Sequence, residues 1–270
     1  MPGWSLYRGR GERTLLPFCN PHADSPACEG WPRLSLEDRS AYEALFAQAA
    51  PPLVIHCGGV CDVERCEASP AWARRVNVES VGHFLDFLPR TTRLVYVSSD
   101  HVFGGREEPY DEDAPPEPLS VYGKTRVEAE ALVLSRRPDA LVIRYALGIG
   151  PSVDGRTGHL NWLQYRSRKG LPITIVEGEY RSAVWASDLA ERVFALADSG
   201  LSGIRHVTAD RAVSRVELAR SLNERYSIGA HFHFAKREDR PAPHLGRVAL
   251  ATRFQCSLAA PLASVCPSGH

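Results

Sequence analysis

The sequence predicts an α/β fold, a doubly wound parallel sheet with a smaller C-terminal part. Short apolar runs alternate along the chain with longer segments of helical periodicity, an order that places helices on both faces of a parallel sheet. The chain has 270 residues, 44% of them hydrophobic and 24% charged, which is enough for one such domain and an appended part.

The first half of the chain supplies three helices and three strands. Ser35 with Asp38 resembles a capping box, which predicts a helix from there to about Ala49. The elements that follow are the buried strand LVIHCG, a helix over 70–88, the strand RLVYVSS, a helix over 122–136 and the strand ALVIRYA. The helix over 122–136 ends before Pro138 because proline cannot continue it.

The second half predicts a return to the sheet and a smaller part. After the loop PSVDGRTG come a helix over 159–169, the strand ITIVEG, a helix over 188–197 and a helix capped by Ser214 and Glu217. We expect residues 1–150 to form the sheet domain, completed by about 185–210, and 151–270 to form mainly the second part. The two parts interleave in sequence.

The charge balance argues against nucleic acid or a membrane as partner. The 32 basic and 32 acidic residues cancel, so the composition indicates no surface for a polyanion. No stretch of 18 apolar residues and no charged-then-apolar leader is present, which predicts neither a membrane span nor a secretion signal. We therefore expect a cytoplasmic protein.

Three polar residues form the candidate catalytic set. Ser99 ends an apolar strand, and ligands of open α/β sheets collect at such strand ends. Tyr122 begins a helix, and Arg126 lies four residues later on the same helical face, about 5–6 Å away. A neighbouring cation favours the ionised form of a phenol, so we expect Tyr122 to exchange protons with a carbonyl oxygen that Ser99 also holds.

These residues and their surroundings resemble the extended short-chain dehydrogenases/reductases, specifically the dTDP-4-dehydrorhamnose reductase branch. The likeness covers about residues 33–260 and is carried by VYVSSDHVFGG, VYGKTRVEAE, LVIHCGGVCDVERCEASPAWARRVNVES, LVIRYALGIG, GEYRSAVWASDLAERV, SGIRHVTAD and DRPAPHLGRVALATRF. It implies a Rossmann-like dinucleotide-binding domain and a substrate-binding part. The implied activity is reduction of a keto group on a nucleotide-linked sugar by NADPH or NADH, in dTDP-rhamnose biosynthesis.

The resemblance also implies site residues. Asn77 would join the catalytic set through a water relay. The cofactor would contact Cys57, Gly58, Gly59, Ser98, Tyr122 and Arg126, and the substrate Asp100, Val102, Phe103, Arg181 and Arg240. No metal site is expected, because the spacings of the seven cysteines, among them Cys256, match no zinc pattern.

Alternatives remain open for three of these residues. Arg181 suits bidentate contact with a diphosphate, but a salt bridge to Asp188 or Glu179 explains it nearly as well. Arg240 lies near the nucleotide in the resemblance or is a solvated charge. We expect Asp100 to fix the loop after Ser99 rather than to act as a base.

Two departures from the family pattern bear on catalysis. The first is Arg126, where the family has lysine; arginine keeps the charge, but its planar fork is bulkier and does not lose protons. The nearby Lys124 lies about 200° round the helix from Tyr122 and should face solvent. A solvated face is also the alternative interpretation of Arg126.

The second departure is the missing glycine-rich loop. No apolar strand precedes Gly9-Arg10-Gly11, and the prolines at 17, 21, 26 and 32 break any helix that would follow. Three interpretations compete: a remodelled segment that no longer holds the pyrophosphate in the usual way, an unusual cofactor loop, or a start in another reading frame.

A non-catalytic role is therefore the alternative function. The regulatory beta subunit of methionine adenosyltransferase also resembles this sequence, and a sugar-nucleotide-binding or regulatory subunit could keep the pocket without the chemistry. A homodimer or a partner enzyme is compatible with either function.

Overall fold

The structure is a computed structural model that describes residues 2–254, 258 and 260–267, so Cys256 lies outside the described residues. The helices are α1 (Pro2–Arg8), α2 (Arg39–Gln48), α3 (Val63–Ala68), α4 (Pro70–Arg74), α5 (Ser80–Phe87), α6 (Val121–Arg136), α7 (His159–Arg168), α8 (Ala186–Asp198) and α9 (Arg215–Arg225). The strands are β1 (Leu53–His56), β2 (Arg93–Val97), β3 (Leu141–Tyr145), β4 (Leu147–Ile149), β5 (Ile173–Val176), β6 (Tyr180–Arg181), β7 (Ala183–Trp185), β8 (Gly203–Val207), β9 (Val213–Ser214), β10 (Phe232–Ala235) and β11 (Arg247–Val248).

The central sheet has four parallel strands in the order β1-β2-β3-β8. Its register places Val95 of β2 between Ile55 of β1 and Leu141 of β3. Parallel strands covered on both faces are apolar along their length, which is why LVYV and LVI recur in them. The predicted parallel α/β sheet is confirmed.

Helices cover both faces of this sheet. Leu94 and Tyr96 point to the face covered by α2, α5 and α6, whereas Val95 points to the face covered by α1 and α8. The alternation follows from the period of two along a strand. Polar residues that follow β2 therefore lie at the carboxyl edge of a rigid, buried sheet.

A second part packs against the carboxyl edge. It contains the strand pairs β5–β10 and β4–β7, the three-stranded sheet β11-β6-β9, and the helices α7 and α9. Its apolar cluster also takes in Val102 and Phe103 from the loop after β2. The chain returns from this part to the central sheet through α8 and β8, and the division at residue 150 stays a prediction.

Two local features differ from the sequence prediction. The cap of α2 is Asp38, whose carboxylate accepts from the amides of Ser40 and Ala41, so the helix begins four residues after Ser35. The helix over 70–88 contains a π-helical turn at Arg75–Glu79 between α4 and α5. None of the helices in the described part of the chain combines the length and apolar character that a bilayer crossing requires.

Candidate active site

The start of α6 fixes the position of Tyr122. Ser120 caps the helix by accepting from the amide of Gly123 at 3.0 Å. A Cβ on Gly123 would collide with the carbonyl oxygen of His101, so glycine is what lets the helix approach the loop after β2. The ring of Tyr122 consequently lies with its centroid 5.1 Å from that of His101.

Ser99 lies where β2 ends, beside the same phenol. It caps a 3₁₀ turn over Asp100–Val102, with its Oγ accepting from the amide of His101 at 3.3 Å. The phenol of Tyr122 is a neighbour of this hydroxyl, and both side chains are buried. The structure thus brings together the two hydroxyl groups of the candidate catalytic set.

Arg126 completes the set from one turn along α6. Its guanidinium carbon lies 5.2 Å from the ring centroid of Tyr122, and its Nη1 donates to the phenol oxygen of Tyr96 at 2.9 Å. The side chain is only 5% exposed, whereas Lys124 is exposed as predicted. The solvated-face interpretation is therefore wrong for Arg126.

Burial decides the charge state of the phenol. It raises the pKa of Tyr122 above its ordinary value, while the Arg126 cation and the neighbouring Ser99 hydroxyl act in the opposite direction. We expected the cation to dominate, but the net direction is upward. Although burial disfavours its charge, Arg126 keeps a raised pKa because Tyr122 and Tyr96 surround it. The site thus pairs a protonated phenol with a fixed cation at neutral pH.

Asn77 holds the loop after β1 against α6. It lies in the π-helical turn and is buried. Its Oδ1 accepts from the amide of Val60 at 2.8 Å, and its Nδ2 donates to the Val60 carbonyl and to Thr125 Oγ1, each at 3.0 Å. The amide is committed to these contacts, and its part in a water relay stays a prediction.

The loop Cys57–Gly58–Gly59 packs closely onto this set. Gly59 has φ +138°, and a Cβ there would collide with Arg126 Nη2 and lie 2.8 Å from Asn77 Oδ1. Burial raises the pKa of Cys57 to about 12, so its thiol stays protonated. The loop lies where the resemblance places the cofactor, and its contacts with a cofactor stay a prediction.

Ser98 is engaged elsewhere. Its hydroxyl donates to Glu130 Oε1 at 2.5 Å, and the same carboxylate is paired with Arg144. All three side chains are buried. A cofactor contact in which the Ser98 hydroxyl donates would require breaking this buried hydrogen bond.

Four of the predicted substrate residues are buried, so they do not line an exposed surface of the site. These residues are Asp100, Val102, Phe103 and Arg181. Arg181 Nε donates to Asp100 Oδ2 at 2.5 Å and its Nη1 to Glu179 Oε1 at 2.9 Å. The interpretation as a salt bridge to Glu179 thus describes this arginine, with Asp100 as an additional partner. Val102 and Phe103 are 0% exposed in the apolar core, so their side chains present no surface to a substrate.

Arg240 is placed differently, in a partly exposed ion pair with Glu64. Its Nη2 lies 3.3 Å from Glu64 Oε1 on α3, and one third of its side chain is exposed. The ion pair connects the C-terminal part to the helix that follows the Gly58–Gly59 loop. Among the predicted substrate residues, this one keeps a cationic group at the surface.

Sequence reasoning missed Tyr96. It is the polar-tipped residue of the otherwise apolar stretch LVYV, and the period of two places it on the α6 face of the sheet. Its phenol then meets Arg126, a contact that the spacing within one helix does not reveal.

Comparison with known proteins places these features in a family. The family described as RmlD substrate binding domain matches residues 18–257. A probable dTDP-4,6-dihydroxy-2-methyloxan-3-one 4-ketoreductase of Streptomyces antibioticus is 32% identical over 78% of this chain and 72% of its own length. A dTDP-4-dehydrorhamnose reductase of Mycobacterium tuberculosis is 32% identical over 74% and 69%. Methionine adenosyltransferase 2 subunit beta of Xenopus tropicalis is 27% identical over 72% of this chain and 60% of that subunit.

Solved structures share the fold. A UDP-glucose 4-epimerase of Thermus thermophilus in complex with NAD superposes with a TM-score of 0.81 at 23% identity, covering 93% of this chain and 87% of the epimerase. A dTDP-4-dehydrorhamnose reductase of Bacillus anthracis in complex with NADP gives 0.70 at 21% identity, covering 80% and 76%.

The family match, the fold and the site together define an extended short-chain dehydrogenase/reductase: a parallel sheet that carries a serine, a tyrosine and a cation at its carboxyl edge. Within that class the sequence match is specific to one group. The chain belongs to the RmlD substrate-binding domain family.

Proposed function

We propose that this protein reduces a keto group on a nucleotide-linked sugar with NADPH or NADH. The observation that carries the proposal is the buried phenol of Tyr122, which lies next to the Ser99 hydroxyl and beside the Arg126 cation. A phenol that keeps its proton at neutral pH is suited to donating it to a carbonyl oxygen. Two relatives are named as a ketoreductase and a reductase, which is consistent with reduction of a carbonyl.

The residues fit the reacting end of a nicotinamide cofactor. The buried Nε of Arg126 has no hydrogen-bond partner among the described residues, which leaves a donor for a hydroxyl of the cofactor's ribose. At the phosphate end, no strand in the described part of the chain pairs with the outer edge of β1. Instead α1 begins beside the loop, where a Cβ on Gly3 would lie 3.8 Å from Cys57 Cβ.

Each residue then has a defined part in the reaction. The cofactor, when bound, would supply a hydride to the carbonyl carbon and would be left as the oxidised nicotinamide. Tyr122 donates its proton to the carbonyl oxygen, Ser99 holds that oxygen by a hydrogen bond, and the Arg126 cation stabilises the phenolate that remains. The product is the alcohol, and solvent restores the phenol proton.

The residues that bind the substrate are the exposed ones at the edge of the site. Because Arg181 is buried between two carboxylates, it orders the loop after Ser99 instead of meeting a diphosphate. Arg240 keeps a partly exposed guanidinium, and we assign it to the nucleotide's phosphates. A dTDP-linked sugar is the substrate class that the reductase relatives name.

A binding or regulatory subunit is the second candidate function. It is favoured by the absence of a glycine-rich loop, together with the similarity to methionine adenosyltransferase 2 subunit beta. Such a subunit would keep the cleft but would not transfer a hydride.

Titration with NADPH separates the two functions. We expect saturable binding, followed by the fluorescence of the reduced nicotinamide, with a dissociation constant below about 1 mM, within the usual range for enzyme ligands. The Tyr122→Phe variant should bind equally well, because the phenol is needed for proton donation. No binding up to about 1 mM would contradict the reductase function and favour the subunit.

A further inference from the structure

Tyr96 contacts the candidate catalytic set from inside the sheet. It is 0% exposed on β2, three residues before Ser99. Its phenol oxygen accepts from Arg126 Nη1 at 2.9 Å, and its ring stacks on His56 with centroids 5.5 Å apart. A buried side chain held between β1 and α6 has little freedom, so its oxygen is a fixed point for the guanidinium.

Gly59 shapes the opposite side of the same guanidinium. The backbone conformation there, φ +138°, is one that L side chains rarely adopt. A Cβ would collide with Arg126 Nη2, so the space beside the loop is filled by the guanidinium itself. Asn77 holds the loop in place through both backbone groups of Val60.

Arginine uses this space in a way that lysine cannot. Its planar fork reaches Tyr96 with Nη1, lies against Gly59 with Nη2 and places its central carbon 5.2 Å from the ring centroid of Tyr122. The lysine ammonium is a compact point charge on a flexible stem, and it cannot contact all of these neighbours at once. The socket formed by Tyr96 and Gly59 therefore matches arginine.

We propose that Tyr96 is a positioning residue, which holds the Arg126 guanidinium over Tyr122 and, with Gly59, adapts the site to arginine at position 126. The predicted effect on turnover rests on the proposed function, whereas the predicted effect on the titration of Tyr122 does not. Arg126 is then the cation that acts on the Tyr122 phenol in this protein, and replacing it with lysine should not improve the site.

The proposal predicts the direction in which the pKa of Tyr122 changes when the Tyr96 hydroxyl is removed. Without the Tyr96 hydroxyl the guanidinium loses its fixed point and spends less time beside the phenol. The pKa of Tyr122 then rises further, because burial is opposed by a weaker cation effect. Arg126→Lys should act in the same direction, and adding Tyr96→Phe to Arg126→Lys should change little more, since both act through one contact.

Fluorine NMR of protein labelled with fluorotyrosine measures this directly. Fluorination lowers the pKa of every phenol and brings the titration into a range that the fold survives, and Tyr122→Phe identifies the resonance. The matched control is Tyr42→Phe, which removes another buried hydroxyl from the same apolar cluster. We expect a rise of about one pKa unit in Tyr96→Phe, equivalent to a tenfold change in the equilibrium, and no shift in Tyr42→Phe.

Two results would overturn the proposal. An unchanged Tyr122 titration in Tyr96→Phe would mean that the hydroxyl does not position the guanidinium. A lowered pKa would mean that Tyr96 draws Arg126 away from Tyr122. If Tyr96→Phe did not fold, Arg126→Lys would carry the test, because a lower Tyr122 pKa in that variant contradicts the match to arginine.

Turnover gives the second readout. With an active parent, Tyr96→Phe should lower kcat by up to about tenfold, the largest effect that a loss of about one pKa unit in the acidity of the proton donor allows. A higher kcat in Arg126→Lys would overturn the proposal. An inactive parent would contradict the proposed function alone, since the titration is measured without turnover.

Discussion

Tyr122 is subject to two opposing influences on its proton. Burial raises the pKa of the phenol, and the adjacent Arg126 cation acts against that rise. The outcome suits a reductase, because proton donation needs a protonated phenol when the carbonyl is reduced. The cation acts later, on the phenolate that donation leaves behind.

Replacing the phenol tests its role as donor. We expect Tyr122→Phe to lower kcat by about 10²–10⁴-fold, the usual contribution of a positioned general acid, with cofactor binding retained. The matched control is Lys124→Met in the same helical turn, which removes an exposed cation and should leave turnover unchanged. Equal turnover in Tyr122→Phe and the parent would assign proton donation to another group.

His56 makes the stability of the fold depend on pH. Burial, with a smaller effect of Arg126, lowers the pKa of His56 to about 4, and neither ring nitrogen has a hydrogen-bond partner among the described residues. In the unfolded chain the pKa is about 6.5, so between these values only the unfolded state takes up the proton. Stability is therefore full above about pH 6.5 and falls as the pH approaches 4, by up to about 3 kcal/mol.

Urea unfolding at several pH values measures this effect. The His56→Leu variant should show a shallower loss of stability between about pH 6.5 and 4 than the parent does. The remaining slope would include His206, whose pKa burial also lowers to about 4. Parallel curves for variant and parent would show that His56 does not contribute.

At the scale of elements, periodicity predicted most of the fold. The strands β1, β2 and β3 of the central sheet contain continuous apolar runs, and α6 and α9 carry side-chain caps at Ser120 and Ser214. The π-helical turn at Arg75–Glu79 was not predictable, because one inserted residue leaves the apolar pattern of 70–88 almost unchanged. The helix α1 was missed as well, since its seven residues are too few for a periodic signal.

A buried ion pair joins α6 to β3. Arg144 Nε and Nη2 donate to the two oxygens of Glu130, at 3.0 and 2.6 Å, and the side chains are 2% and 4% exposed. Because removing one partner leaves an uncompensated buried charge, we expect Glu130→Gln to lower the free energy of unfolding by about 3–5 kcal/mol.

Chemical denaturation with a surface control checks this value. The control is Glu79→Gln, which breaks the exposed pair of Arg74 and Glu79, at 2.7 Å, and should cost less than about 1 kcal/mol. Similar losses in the two variants would mean that the buried pair does not connect the helix to the sheet.

At the scale of the whole molecule, the site is made where the two parts meet. Asp100, in the loop after β2, is paired with Arg181 on β6, and Glu64 on α3 is paired with Arg240 near the C-terminal end. Such pairs join residues far apart in sequence, and spacing along the chain does not reveal them. This is why the local set of Ser99 and Tyr122 was predictable, whereas the partners of Arg181 were only partly so.

The same limit applies to Tyr96 and Gly59. Each lies on a different element from Arg126, and their contacts with it follow from the packing of β2, the loop after β1 and α6. Sequence alone presented Arg126 as a departure from the family pattern. The structure supplies two neighbours that fit the guanidinium.

Hydride transfer to a sugar carbonyl, with Tyr122 as proton donor, is the function that we propose for this protein. Its most direct measurement is incubation with NADPH deuterated at the nicotinamide C4 and a dTDP-linked 4-keto sugar, followed by mass spectrometry and NMR of the product. We expect one deuterium on the carbon of the new alcohol, formed by the parent and lost in Tyr122→Phe. A parent protein that binds NADPH and the nucleotide sugar but yields no deuterated alcohol would contradict the claim.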